Sequence, residues 1–455
     1  MSHLSQSIES HIGFRHLSIL GLLWFSCAIC SIASAEDRSA MTSTRQRQLV
    51  ESICHRVQQL YPFPEAGAAT IDSLRRKLET GKYASWTDPT GFAAGMTADL
   101  EGFSGDRHFD LSYDPQMAVE MKKDNNATSG DVYRDSMAER LRWANYGFRE
   151  LRILDGNIGY MDLRFFAPLN YAAETAIAAV SYFANSDALI IDLRQNGGGW
   201  DEMVMFLLSY FVDTKDPLIM TITQSTLDKS YEVSGTFNYV PGRRLLQIPV
   251  YLLVSSSTGS AAEAFAYRMQ YFKRATLIGE TTSGAEHPVE MLALDDEFVL
   301  TVPCWKRLFS ITGSGWEATG VSPDVAVDSG QAFDVAYQKA LEVQLSNVHD
   351  DTQLFRVNWA LDGLRARAAP VTISHEIAQS YVGTYGERTI ILENDRLQYQ
   401  RTGPKYALRA LSEVLFQPEG LDYFRIRFVR DSDGRVTGLV GLYDDGRADP
   451  SPRTE

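Results

Sequence analysis

A serine hydroxyl becomes a nucleophile when a base stands beside it. An oxyanion forming at that serine is stabilised when free backbone N–H groups point at it, as they do at a helix amino terminus. Ser260 has the sequence context for this chemistry. It closes the segment Ser255-Ser-Ser-Thr-Gly-Ser260, which follows the apolar run Pro249 to Val254 and precedes the helix-forming stretch Ala261 to Gln270. The same position suits an ordinary N-cap serine. A second apolar run, Ala188 to Leu193, ends in Asn196-Gly197-Gly198-Gly199, a further source of backbone donors or simply a tight strand-to-helix turn. Taken together, the two turns predict an oxyanion hole made from a glycine of the 197–199 turn, Gly198 or Gly199, and the N–H of Ala261. The base has to come from elsewhere. Beyond the first 35 residues the histidines are His55, His108, His287, His349 and His375. That part of the chain has no CxxC and no HExxH, so the motifs point to no metal and no cofactor.

The elements that must hold these residues follow from pattern. Strand, glycine-containing turn and helix occur twice, at 188–212 and 249–270, which predicts parallel βαβ architecture. In such a sheet both turns fall at the carboxyl ends of neighbouring strands, where α/β sites form. A hairpin about Asp155-Gly156 precedes them. Upstream, residues 43–103 read as helices, with Ser43 and Gln46 forming a capping box, and a strand begins just after His108. A further helix is expected over 131–145. Residues 331–369 read as two helical stretches. From about 376, short strands and turns predict a small antiparallel barrel or sandwich.

Three stretches carry a resemblance: Asp187 to Gly199, Ser257-Thr-Gly-Ser-Ala-Ala-Glu263 and Arg274 to Thr282. In order and spacing they resemble the tail-specific (C-terminal processing) serine peptidases, in the branch of interphotoreceptor retinoid-binding protein-like and tricorn-core-like members. Gly105-Asp106-Arg107-His108-Phe109, Gly156 to Tyr160 and Trp316 to Asp324 support it, over roughly residues 45–330. The resemblance implies a crotonase-like ββα core and peptide-bond hydrolysis through an acyl-enzyme on Ser260. Members with a Ser–Lys dyad keep a lysine where this chain has Ala285. The resemblance therefore implies a histidine base, His108, oriented by Glu317. His287, in the loop that stands in place of the lysine loop, is the rival base. Arg107 replaces the serine that precedes the histidine in the tricorn-like branch, so a fourth relay member is not expected. No PDZ-like insertion is apparent, which argues against processive capture of substrate tails.

The remaining sequence bounds these expectations. The chain of 455 residues carries 43 basic and 58 acidic side chains, a formal charge of −15 without basic clusters, so nucleic acid is not an expected partner. Residues 1–35 read as a signal peptide, with an apolar run from Leu17 to Ile32 and the small exit Ala33-Ser34-Ala35. That predicts a periplasmic or secreted protein, membrane-bound only if the segment stays uncleaved. The expected division is signal peptide 1–35, helical subdomain 36–104, core 105–330, helical linker 331–370 and β-rich domain 371–455. Asn126-Ala127-Thr128 is a glycosylation sequon. Cys54 and Cys304 could pair or stay as buried thiols. Against the peptidase stands a binding protein for apolar ligands on the same fold. The expected partner is a peptide or protein substrate, and the oligomeric state stays open.

Overall fold

A computed structural model describes residues 41–123, 139–213, 219–313 and 315–454. The segment expected to be a signal peptide, the sequon and residues 131–138 of the expected helix lie outside them. Three helices open the described chain, α1 (Ser43–Leu60), α2 (Pro64–Glu79) and α3 (Pro89–Ser104). The capping box at Ser43 is not what starts α1. Thr42 is the N-cap, its hydroxyl accepting from Arg45 N–H at 3.3 Å. Gln46 instead points inward and donates to the carbonyls of Tyr83 and Trp86, both at 2.9 Å. A buried amide with two carbonyl partners outcompetes a capping role on the surface.

The apolar stripe of these helices is covered by a three-stranded antiparallel sheet. Its strands are β1 (Asp110–Tyr113), β10 (Phe298–Pro303) and β9 (Val289–Ala293), in the order β1-β10-β9. Leu49, Ile53, Phe92 and Met96 share one buried cluster with Phe298, Leu300 and Val302. Cys54 and Cys304 lie in that cluster as free, buried thiols. The chain between them, with β12 from beyond Cys304, builds the central layer. A short helix α4 (Pro115–Lys123) follows β1, and the hairpin β2 (Phe148–Leu154) and β3 (Ile158–Leu163) comes next. Then come α5 (Leu169–Tyr182), β4 (Ala188–Asp192), α6 (Asp201–Phe211), β7 (Val250–Val254), α7 (Ala261–Tyr271), β8 (Thr276–Gly279) and β12 (Val325–Ala326).

The sheet order is β12-β8-β7-β4-β3-β2, parallel except for the β2–β3 hairpin. Every residue of β4 and β7 is buried, as continuous apolar strands covered on both faces require. A ribbon of β11 (Trp305–Ser310), β5 (Ile219–Ser225) and β6 (Tyr231–Gly235) stands apart from this sheet. Helices α8 (Ala332–Ser346) and α9 (Asp351–Ala368) pack on the other face of the central sheet, in the cluster of Ile158, Ile190, Leu253 and Ile278. After α10 (His375–Tyr381), eight antiparallel strands run from β13 (Gly383–Tyr385) to β20 (Ala448–Pro452). Tyr385 bridges Arg453, and Thr454 N–H donates to Thr384 O at 2.8 Å, so the sheet nearly closes into a barrel. No helix of the described residues is long and apolar enough to cross a membrane.

Candidate active site

Ser260 ends the loop after β7 and caps α7, with backbone angles φ 48° and ψ −118°. A side chain in that left-handed region stores strain, and strain of this kind collects at functional sites. The neighbouring loop after β4 is fastened to it. Asn196 O accepts from Gly259 N–H at 3.0 Å, Thr258 Oγ1 donates to Leu193 O at 2.8 Å, and Ser255 Oγ donates to Arg194 O at 2.6 Å. The glycine turn presses against the serine so closely that only hydrogen fits. A Cβ on Gly198 would lie 2.8 Å from Ser260 Cβ, and one on Gly199 would lie 2.1 Å from Phe166 O.

The expected oxyanion donors separate here. The N–H of Gly198 is already given to Asn196 Oδ1 at 2.9 Å, which removes Gly198 from the donor set and leaves it as the spacer beside Ser260. The side chain of Asn196, buried and held by Leu163 O at 2.9 Å, is fixed for that acceptance. Ala261, at the first turn of α7, and Gly199 keep their N–H groups clear of the loop's own hydrogen bonds among the described residues.

Glu263, one turn into α7, was part of the sequence motif without a predicted role. It is fully buried, and its carboxylate accepts from Ser260 N–H at 2.9 Å. The same group accepts from Thr282 Oγ1 (2.5 Å), Ser283 Oγ (3.1 Å), Gly284 N–H (2.7 Å) and Ala285 N–H (2.9 Å). The Ser-x-x-Glu spacing of a capping box was the available signal. One carboxylate thus locks the Ser260 turn to the loop that carries Ala285.

That loop runs on to His287, which meets the second half of the site. Asp106 sits buried between two imidazoles, 3.2 Å from His108 Nδ1 through one oxygen and 2.9 Å from His287 Nδ1 through the other. The His108 backbone N–H also donates to it at 3.0 Å. Glu317 lies 3.4 Å from His287 Nδ1, and accepts from Glu286 N–H at 2.7 Å. This differs from the expected pairing: Glu317 contacts His287, and the carboxylate on His108 is Asp106. The reason is local, because an Asp-x-His turn brings the aspartate under its own histidine. Asp106 could have been read from that spacing. Its contact with His287, 181 positions away, could not.

The electrostatics follow from this packing. Burial would raise the Asp106 carboxyl, but the hydrogen bonds from His108 and His287 overcome it and hold the group well below the usual carboxylate range. An ionised Asp106 only accepts, so both ring contacts are Nδ1–H donors and each Nε2 is left free to act. Burial opposes charge on His287, yet the Asp106 hydrogen bond and the Glu317, Asp106 and Glu286 charges outweigh it and raise its pKa. Burial pushes the Glu317 carboxyl up, against the lowering effect of the His287 charge. His108 Nε2 and Glu317 Oε1 are buried with no hydrogen-bond partner among the described residues. Arg107 Nη1 donates to Ser283 O at 2.9 Å, and Ser283 N–H to Thr258 O at 2.9 Å, so one loop ties the histidine pair to the serine turn. His55, His349 and His375 are exposed and belong to none of this.

Comparison with known proteins bears on the same residues. Residues 157–327 match the model described as peptidase family S41, and residues 39–141 match the N-terminal domain of these peptidases in eukaryotic IRBP. The chain is 28% identical over 174 residues to the chloroplastic carboxyl-terminal-processing peptidase 3 of Arabidopsis thaliana, covering 38% of this chain and 32% of that one. It is 26% identical over 166 residues to a carboxyl-terminal-processing protease of a Picosynechococcus strain, covering 35% and 38%. The chain thus spans about a third of the length of these relatives. A solved photosystem II D1 C-terminal processing protease aligns with a TM-score of 0.38 at 15% identity, over 64% of this chain and 94% of the other.

Proposed function

The chain belongs to peptidase family S41, and from that premise we propose that it is a serine peptidase with a crotonase-like core, exported through residues 1–35, that cleaves peptide or protein substrates by way of an acyl-enzyme on Ser260. The observation that carries the reading is the strained serine, at φ 48° and ψ −118°, facing a glycine turn at the amino terminus of α7. His108 is the general base. Its Nδ1–H is given to Asp106, which sets the tautomer and stabilises the imidazolium, and its Nε2 is free to take the serine proton. Ser260 Oγ then attacks the scissile carbonyl. The N–H groups of Ala261 and Gly199 receive the oxyanion, helped by the dipole of α7. Imidazolium returns its proton to the leaving amine, and water repeats the sequence to release the acid. His287 and Glu317 form a second layer that holds Asp106 in place.

A fluorophosphonate probe tests the nucleophile. Labelling of the folded protein that disappears in Ser260→Ala is the expected outcome, and a folded chain that never labels would favour the apolar-ligand carrier instead. On one peptide substrate, His108→Ala should lose on the order of 10³-fold or more in kcat, because members of such a unit fail together. His287→Ala should lose on the order of 10-fold through a less firmly held Asp106. A dead His287→Ala beside an active His108→Ala reverses the assignment of the base.

A further inference from the structure

Asp106, His108, His287 and Glu317 each offer one ligand atom, and the four atoms all lie within 4.8 Å of one another. We propose that these side chains form a zinc site, and that an ion bound there switches the peptidase off. The donor set is two imidazole nitrogens and two carboxylate oxygens, which zinc accepts and which the harder magnesium and calcium ions do not prefer. Zinc bonds of about 2.0–2.2 Å to nitrogen and oxygen put tetrahedral ligands roughly 3.3–3.6 Å apart. Two edges of that tetrahedron are close to this length: His287 Nδ1 stands 2.9 Å from Asp106 Oδ2 and 3.4 Å from Glu317 Oε2. His108, 3.2 Å from the other Asp106 oxygen, supplies the fourth corner.

Three further observations fit an ion. Two carboxylates with two neutral imidazoles balance a charge of +2. Two atoms of the cluster, His108 Nε2 and Glu317 Oε1, are buried without a protein partner, so the polar capacity of the site exceeds what the fold satisfies. The cluster is also reachable, because the His287 and Glu317 side chains keep 13% and 22% of their exposure while Asp106 and His108 keep 3% and 8%. The motifs pointed to no metal because the ligands come from three loops far apart in sequence, not from one helix or one knuckle. An ion on His108 Nδ1 would take the place of the proton given to Asp106 and leave the neutral imidazole protonated at Nε2, so the proposed base could not accept the serine proton. The inhibitory half therefore rests on the peptidase reading, whereas the binding half does not.

The test separates the two halves. Zinc is titrated calorimetrically into the folded Ser260→Ala protein, which has the cluster intact and no nucleophile. One ion per chain is expected, with affinity lowered on the order of 10²-fold in the same protein carrying His287→Ala, and about 10-fold for Glu317→Gln. Cobalt titrated into the same protein should give the intense visible bands of a four-coordinate site, a readout that misfolding of a variant does not touch. Absence of stoichiometric zinc binding, or binding that neither variant weakens, overturns the site. For the wild-type chain, zinc should suppress fluorophosphonate labelling and a chelator should restore it. Zinc binding with labelling undiminished overturns the inhibition. A chain that stays unlabelled in chelator refutes the peptidase reading and leaves the binding result standing.

Discussion

Glu263 shows how much of this site depends on one side chain outside the proposed catalytic group. Its buried carboxylate takes five hydrogen bonds, from Ser260 N–H, Thr282 Oγ1, Ser283 Oγ, Gly284 N–H and Ala285 N–H. Truncation leaves those donors facing a dry cavity, which costs the desolvation of each rather than the modest net value of a hydrogen bond. Glu263→Ala should therefore lower unfolding stability by about 3 kcal/mol in urea titrations, and kcat should fall further than the remaining folded fraction explains. Retained stability would mean that the 282–285 loop finds other acceptors. At this scale the sequence was partly legible. The place of Ser260 at a strand-to-helix turn, of the glycine turn beside it and of His108 just before β1 followed from local motifs. Glu263 was visible as a capping-box spacing but not as an anchor for a distant loop. The pairing of Glu317 with His287 was hidden, because it depends on how two loops cross and not on either one alone.

Among the elements, those whose hydrophobic pattern is continuous were readable: β4, β7 and the helices that follow them stand where the apolar runs put them. Ribbons such as β5–β6 and the β9–β10 pair were not, because polar residues interrupt their pattern and the third strand of each sheet, β11 against β5 and β1 against β10, lies far away in sequence. The start of α1 shows how a local rule can fail by one residue. Both Thr42 and Ser43 can cap, and the tertiary demand on Gln46 decides between them. Thr42→Ala should then cost about 1 kcal/mol in thermal or urea unfolding, while Ser43→Ala, already inside the helix, should be nearly neutral. Equal losses from the two would put the cap back at Ser43.

The whole molecule is held together by chain that returns across it. The amino-terminal helices do not complete a core by themselves: β9 and β10 come back from beyond the central sheet to cover them, bringing Cys304 into the cluster that holds Cys54. The eight-strand module, by contrast, pairs strands adjacent in sequence from β13 to β20, which is why its antiparallel character was evident, whereas the contact of Tyr385 with Arg453 that nearly closes it joins its two ends and left barrel or sandwich undecided. The returning chain gives the molecule an alkaline limit. Burial pushes the Cys54 thiol up to about 11 and the Cys304 thiol up to about 12. A group whose folded pKa is raised gives stability that is complete below its unfolded value, near 9, and is lost as pH rises toward the folded value. Between about pH 9 and 10 each thiol should remove about 1 kcal/mol from the unfolding free energy, since the unfolded chain ionises there and the folded chain does not. Urea unfolding of the Cys54→Ala and Cys304→Ala proteins at pH 8, 9 and 10 should show a shallower decline than the parent, whatever each change costs at pH 8. Peptide mapping after iodoacetamide at pH 8 should likewise find both thiols unmodified until urea is added. A decline as steep without the thiols as with them would assign the alkaline limit to the buried tyrosines, and modification of either thiol in the folded chain would mean that the strands brought back from 289–303 do not seal the amino-terminal core.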